Sequence, residues 1–152
     1  MSESLRKAIG TFYSSKAFAV IGVSTKRRKF GNIIYRAMKE RGFTVYPVHP
    51  TLQSVEGESC FHSVMDLPEQ VQSIVTVVPP RATEVIVSDC VRKGIQTVWM
   101  QQGSESEDAM SIARKHDITV VHGQCLLMFL EPVGSVHAVH RWLKKVVGAY
   151  PE

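Results

Sequence analysis

The chain of 152 residues has few cysteines, and they are far apart. Cys60, Cys90 and Cys125 form no Cys-x-x-Cys pair, so we expect neither a structural zinc site nor a disulfide framework. No apolar run reaches the ~20 residues that a membrane span needs, and the N-terminus lacks the apolar core of a cleaved leader. These absences predict a cytoplasmic protein with no membrane partner.

A strong charge of one sign is also missing, since the formal net charge is +4. The basic residues concentrate in Lys26-Arg-Arg-Lys29, and the chain has neither zinc-finger spacing nor interleaved aromatic and basic residues. A nucleic-acid partner is therefore not expected. A hydrophobic content of 44% in a chain of this length is typical of a single globular domain, residues 1–152.

Strand and helix patterns alternate along most of the chain. Apolar runs predict five strands, at residues 17–21, 44–48, 73–78, 97–100 and 119–121. Helical spacing of apolar residues predicts helices at about 3–12, from 31 to the stop at Gly42, at 83–93, 104–116 and 135–147. The helix at 83–93 has apolar residues at Val85, Ile86, Cys90 and Val91, with Cys90 on its apolar face. This order specifies a doubly wound, Rossmann-like parallel α/β sheet with helices on both faces.

The segment after the first strand has the features of an anion-binding loop. The strand ends at Gly22, small hydroxyl residues and four cations follow, and a helix begins near Gly31. Free backbone N–H groups and the positive end of a helix dipole would converge there, which favours a ligand with several phosphates. A tight turn beside a solvated basic loop is the alternative reading.

Other candidate segments share the same edge, because ligands of doubly wound sheets bind beyond the carboxyl ends of the strands. This edge would gather His49-Pro50, Pro79-Pro80-Arg81 and residues 101–103 around the basic loop.

A nicotinamide nucleotide fits these residues poorly. Its fingerprint is Gly-x-Gly-x-x-Gly followed about 20 residues later by an acid at the end of the second strand. Here the next glycine after Gly22 is Gly31, and His49 stands where the acid is expected. NAD is therefore disfavoured, NADP stays formally open, and an NAD(P)-binding redox regulator or reductase remains an alternative.

Four motifs in order carry a resemblance to a known family. Gly22-Val-Ser24, Val45-Tyr-Pro-Val-His-Pro50, Val77-Val-Pro-Pro80 and Val98-Trp-Met-Gln-Gln-Gly103 follow successive predicted strands. Together they resemble the CoA-binding domain family, and in particular its small stand-alone bacterial and archaeal members. Larger relatives include the CoA-binding half of the succinyl-CoA synthetase alpha subunit. The resemblance covers roughly residues 14–131.

The resemblance implies coenzyme A, free or acylated, as the ligand. It places the basic loop at the phosphates and the turn after the second strand at the pyrophosphate and ribose. The turn after the third strand would lie at the adenine, and the loop after the fourth strand towards the pantetheine arm. The implied binding residues are Gly22, Val23, Ser24, Thr25, Arg27, Arg28, Lys29, Phe30, Gly31, His49, Pro50, Val78, Pro79, Pro80, Gln102 and Gly103. Two positions depart from the family pattern: His49 stands where asparagine is common, and Gly123-Gln-Cys125 stands where Asp-Arg-Cys is frequent.

No catalytic residue is predicted. The chain shows neither a Walker nor an ATP-grasp sequence, so a binding module is favoured over an independent enzyme, with an accessory subunit of an acyl-CoA ligase as an alternative. Cys125 is interpreted as a buried thiol, although exchange with a ligand thiol is left open. His137 and His140 lie one helical turn apart without a third ligand, so no metal is expected. The apolar helix at 135–147 leaves a homo-oligomer open.

Overall fold

The computed structural model describes residues 1–130. Its helices are α1 (Glu3–Tyr13), α2 (Phe30–Glu40), α3 (Pro80–Lys93) and α4 (Glu107–Lys115). Its strands are β1 (Ala17–Ile21), β2 (Val45–Val48), β3 (Ser54–Val55), β4 (Glu58–Ser59), β5 (Val71–Thr76), β6 (Thr97–Met100) and β7 (Thr119–Val121), with short 3₁₀ helices at Val64–Asp66 and Leu126–Phe129. The predicted helix at 135–147, with His137 and His140, lies outside the described residues.

Five strands form one parallel sheet in the order β2-β1-β5-β6-β7. The doubly wound fold is thereby confirmed. The chain winds in one direction from β1 to β2 and in the other from β5 to β7, so the order reverses between β1 and β5. In this class of sheet, that reversal opens a crevice at the carboxyl ends of the two strands.

Apolar side chains cover both faces of the sheet because successive side chains of a strand point to opposite sides. Phe18 and Val20 of β1 pack in one cluster with Ile9 of α1 and Ile34 of α2. The intervening β1 residues pack in a second cluster with residues of α3 and α4. The all-buried β1 is thus the apolar run expected of a strand covered on both faces.

One serine explains two of the boundaries that differ from the prediction, the end of β5 and the start of α4. β5 spans Val71–Thr76 rather than 73–78, and it ends before Val78 because the Val78 N–H leaves the ladder and donates to Ser104 Oγ at 2.8 Å. Since Ser104 is engaged there, it does not cap a helix. Ser106 caps α4 instead and accepts the Ala109 N–H at 3.3 Å, so this helix begins at Glu107 rather than at 104.

Helix α3 begins earlier than predicted, and one of its apolar residues faces solvent. Pro80 occupies its first turn, where a missing N–H costs no hydrogen bond. Its fully buried residues are Thr83, Val87 and Cys90. Ile86 and Val91 of the apolar pattern pack against the same core cluster, whereas Val85 is 65% exposed.

The small hairpin β3–β4 was not predicted. Its two antiparallel strands have two residues each and are joined by Glu56 and Gly57, both with left-handed φ, at +50° and +83°. Two such central residues make the turn type that suits the twist of a hairpin. The hairpin is anchored by Val55, which is buried among residues of α2 and β1.

Candidate functional site

Two glycines bring the ends of β1, β5 and α2 into direct contact. Gly22 has a φ of +124°, and a Cβ there would clash with the carbonyl of Val77. A Cβ on Gly31 would clash with the carbonyl of Gly22. The first turn of α2 is therefore pressed against the loop that leaves β1, at the crevice between β1 and β5.

The N-terminus of α2 presents unpaired backbone donors at this point. Its cap residue Lys29 is extended and makes no side-chain cap hydrogen bond, and the first turn holds no acidic residue. The N–H groups of Phe30, Gly31 and Asn32 make no hydrogen bond to any group within residues 1–130. Free donors combined with the helix dipole make a site that favours an anion.

Asn32 fixes the conformation of the loop. Its fully buried side chain accepts the Ser24 N–H through Oδ1 at 2.8 Å and donates through Nδ2 to the Ser24 carbonyl at 2.8 Å. Ser24 Oγ in turn accepts the Lys26 N–H at 3.1 Å. Both backbone groups of Ser24, a predicted ligand contact, are therefore engaged in hydrogen bonds that hold the loop. Asn32 was missed, and its only sequence signal was a polar residue on the apolar side of a helix.

The cations of the loop are exposed to solvent. Lys26, Arg28 and Lys29 are exposed and have no ion-pair partner among residues 1–130. Arg27 is paired with Glu56 at 3.0 Å. Thr25 is exposed and Phe30 is 40% exposed beside them.

At the end of β2, His49 holds a turn. Its side-chain Nδ1 accepts the backbone N–H groups of Thr51 and Leu52, each at 3.1 Å. The backbone N–H of His49 donates to the Phe61 carbonyl at 2.9 Å. An asparagine side chain can accept backbone N–H groups in the same way. Because Nδ1 is engaged, any bond from His49 to a ligand has to use Nε2. Pro50 is exposed directly after it.

At the end of β5, Ser104 holds both backbone groups of Val78. Its Oγ donates to the Val78 carbonyl at 2.6 Å and accepts the Val78 N–H at 2.8 Å. Pro79 follows as the extended cap residue of α3, and Pro80 begins the helix. The predicted adenine-side segment is therefore a rigid turn fixed by the loop after β6.

At the ends of β6 and β7, polar side chains join two loops. Gln101 is only 1% exposed, and its Oε1 accepts the Leu126 N–H at 3.1 Å, so it is a structural tether. Gln102 and Gly103 are exposed. Glu105 accepts the N–H of Gly103 at 2.8 Å and of Gly123 at 3.3 Å, which links the two loops.

The thiols differ in their surroundings. Burial raises the pKa of the Cys60 and Cys90 thiols, which disfavours the reactive thiolate. Cys125 is half-buried next to Gln124, at the carboxyl end of β7. Residues 1–130 hold no group of three His, Cys, Asp or Glu side chains that could bind a metal ion. No helix in this part of the chain is long and apolar enough to cross a membrane.

The structure brings every predicted segment to one edge of the sheet. The basic loop and α2, the turn after β2, the turn after β5 and the loop after β6 all follow the carboxyl ends of parallel strands. An open helix N-terminus at the switch point, beside exposed cations, defines the class: a doubly wound, Rossmann-like α/β domain whose switch point favours an anion.

The chain belongs to the CoA-binding domain family, whose model matches residues 16–131. Curated relatives include the ADP-forming acetate–CoA ligase I of Archaeoglobus fulgidus, which is 28% identical over 123 residues. That match covers 74% of this chain and 18% of the ligase. The alpha subunit of the ADP-forming acetate–CoA ligase II of Pyrococcus furiosus is 27% identical over 126 residues, covering 76% of this chain and 28% of the subunit. The chain thus corresponds to less than a third of these relatives.

One solved structure matches this chain over nearly the whole length of the solved chain. A conserved hypothetical protein from Pyrococcus furiosus is 34% identical, with a TM-score of 0.71, and the match covers 74% of this chain and 97% of that one. The fold therefore also occurs in a chain that is little longer than the matched region.

Proposed function

We propose that this protein binds coenzyme A, free or acylated, at the carboxyl edge of its sheet. The residues that would hold it are those predicted from the sequence, with the loop at residues 22–31 at the phosphates. The observation that carries the proposal is the open N-terminus of α2, where Phe30, Gly31 and Asn32 offer unpaired N–H groups beside Lys26, Arg28 and Lys29.

The charge of the ligand suits this site. Coenzyme A carries a diphosphate and a terminal 3′-phosphate, and a terminal phosphate has a charge of about −1.5 to −2 near neutral pH. Backbone N–H groups can bind one phosphate while the exposed cations bind the others. Arginine can form two parallel hydrogen bonds to a phosphate, and lysine acts as a point charge. Family membership supports the same ligand.

Isothermal titration with CoA, acetyl-CoA, NAD, NADH, NADP and ADP tests the proposal. We expect saturable binding of CoA and acetyl-CoA, weaker binding of ADP, and no binding of NAD or NADH, because no acid stands at the end of β2 to hold the ribose hydroxyls. Tight NADH binding without CoA binding would contradict the proposal and support the redox alternative.

A second candidate is a CoA-binding subunit of an acyl-CoA ligase. It is favoured by the Pyrococcus relative, which is itself a subunit and of which this chain matches 28%. The nucleotide-activating part would then be supplied by another chain. Affinity purification of the tagged protein from its own cells, followed by mass spectrometry, tests this role: co-purification of a stoichiometric ATP-dependent ligase chain supports it, and recovery of the protein alone opposes it.

A further inference from the structure

A carboxylate lies beneath the basic loop, and phosphate binding does not by itself account for it. Glu56 occupies the tip of the β3–β4 hairpin with a left-handed φ of +50°, a conformation that is uncommon for residues other than glycine, asparagine and aspartate. Its side chain is only 9% exposed. A charged side chain buried to this extent has to be paired.

Glu56 is paired with groups that control the loop. Its Oε1 forms an ion pair with Nη1 of Arg27 at 3.0 Å and accepts a hydrogen bond from Nη1 of Arg36 at 2.8 Å. Its Oε2 accepts from Nδ2 of Asn32 at 3.2 Å. Arg36 also donates its Nη2 to the Arg27 carbonyl at 3.0 Å, and Asn32 binds both backbone groups of Ser24. One carboxylate therefore holds an arginine side chain of the loop directly and the loop backbone through two neighbours.

Arg27 stays available to a ligand while it is held. Its side chain is 68% exposed, and its Nη1 lies 3.0 Å from Oε1 of Glu56. A guanidinium has five N–H donors, so others stay open to a ligand. Since Lys26, Arg28 and Lys29 have no ion-pair partner among residues 1–130, Arg27 is the cation of this loop whose orientation the fold sets.

We propose that Glu56 is a positioning residue for phosphate binding: it orders Arg27 and the loop at residues 24–29 before the ligand arrives. This inference rests on the proposed CoA site. Loss of the carboxylate has two opposing consequences for CoA affinity, so the direction of the change tests the proposal. Removal of a negative charge strengthens the attraction of the site for phosphates, whereas loss of prior order weakens binding. The positioning role requires the second consequence to dominate.

Titration of the Glu56→Gln variant with CoA tests this sign. We expect affinity to fall about tenfold although the site gains positive charge, because Arg27 and the loop then lose conformational freedom on binding. Glu58→Gln is the matched control, since Glu58 lies on the same hairpin and pairs with Lys39 at 2.7 Å without touching the loop. Its affinity should stay within twofold of the unaltered protein. Unchanged or tighter binding by Glu56→Gln would overturn the proposal.

A readout without ligand separates this proposal from the proposed function. Trypsin cleaves after lysine and arginine, so the segment Lys26-Arg-Arg-Lys29 reports its own order. We expect cleavage in this segment to be several-fold faster in Glu56→Gln than in Glu58→Gln. Cleavage at the same rate in both would overturn the positioning role. Faster cleavage, together with a failure of the unaltered protein to bind CoA, would overturn the proposed function and leave the ordering of the loop standing.

Glu56→Asp keeps the test decisive if Glu56→Gln does not fold. Aspartate tolerates the left-handed turn and keeps the charge, but it is one methylene shorter and reaches Arg27 and Arg36 less well. We expect both readouts to move in the same direction as in Glu56→Gln. A fully native response from Glu56→Asp in both readouts would contradict the geometric requirement.

Discussion

Single atoms decide the geometry of the proposed site at Gly31. Alanine is the better helix former by about 1 kcal/mol, so helix propensity alone favours replacing this glycine. The structure opposes the change because a Cβ at Gly31 would clash with the Gly22 carbonyl. That carbonyl cannot move freely, since Gly22 is itself packed against the Val77 carbonyl. The glycine therefore serves close packing of helix against loop.

We predict that Gly31→Ala destabilises the protein by about 1–3 kcal/mol, the usual cost of overpacking, and weakens CoA binding by moving the start of α2. Urea unfolding and isothermal titration measure the two effects. Gly94→Ala is the control: Gly94 ends α3 with a φ of +85° and has open space around it, so it should cost roughly 1 kcal/mol of backbone strain and leave binding unchanged. A Gly31→Ala variant as stable as the unaltered protein would contradict the packing.

At the scale of elements, α2 and the loop before it form the proposed anion-binding unit. The helix contributes its open N-terminus, and the loop contributes exposed cations whose backbone is fixed through Asn32 and Ser24. Charge supplied in this way is screened by salt, because the side chains are exposed.

We predict that replacing Arg27, Arg28 and Lys29 together by alanine lowers CoA affinity by about 10- to 100-fold, equal to roughly 1.4 to 2.7 kcal/mol, and reduces its dependence on salt. Titrations at two ionic strengths measure both quantities. The control replaces Arg92, Arg114 and Lys115, exposed cations in the last turns of α3 and α4 at the opposite edge of the sheet. It removes the same charge and should change affinity little. Equal losses in both variants would mean that overall charge, and not the loop, attracts the ligand.

Elements with a strong local signal were predictable from the sequence. β1, β6 and β7 have the predicted bounds because each is a short run of apolar and β-branched residues that local sequence identifies. β5 was misplaced because Val77 and Val78 continue the apolar run after the chain has turned towards Ser104. The hairpin β3–β4 was missed because strands of two residues carry no periodic pattern.

The parts of the proposed site that are local in sequence were predicted, and those that depend on distant contacts were missed. Gly22, Gly31 and the basic loop are contiguous in sequence, and the structure brings them together at the switch point. Glu56 was missed because its contacts with Asn32 and Arg36 span 24 and 20 residues. Such contacts depend on where the hairpin packs, which no local pattern encodes. The ligand-binding roles of the predicted residues stay predictions.

At the scale of the whole molecule, the sheet is a rigid support for loops at one edge. Trp99 of β6 is fully buried, packs against Phe12 of α1 with ring centroids 5.1 Å apart, and donates its Nε1–H to the Gln124 carbonyl at 3.1 Å. Gln101 ties the same strand to Leu126. The segment after β7 is thereby fixed to the strand beside it. Binding residues on loops held by such a support need little rearrangement to receive a ligand.

A crystal structure of the protein with bound CoA tests the central claim most directly. The account predicts a phosphate oxygen at 2.7–3.2 Å from a backbone nitrogen of Phe30, Gly31 or Asn32, with at least one loop cation on a second phosphate, and Glu56 still paired with Arg27. CoA seated elsewhere on the molecule, with the N-terminus of α2 free of phosphate, would contradict it.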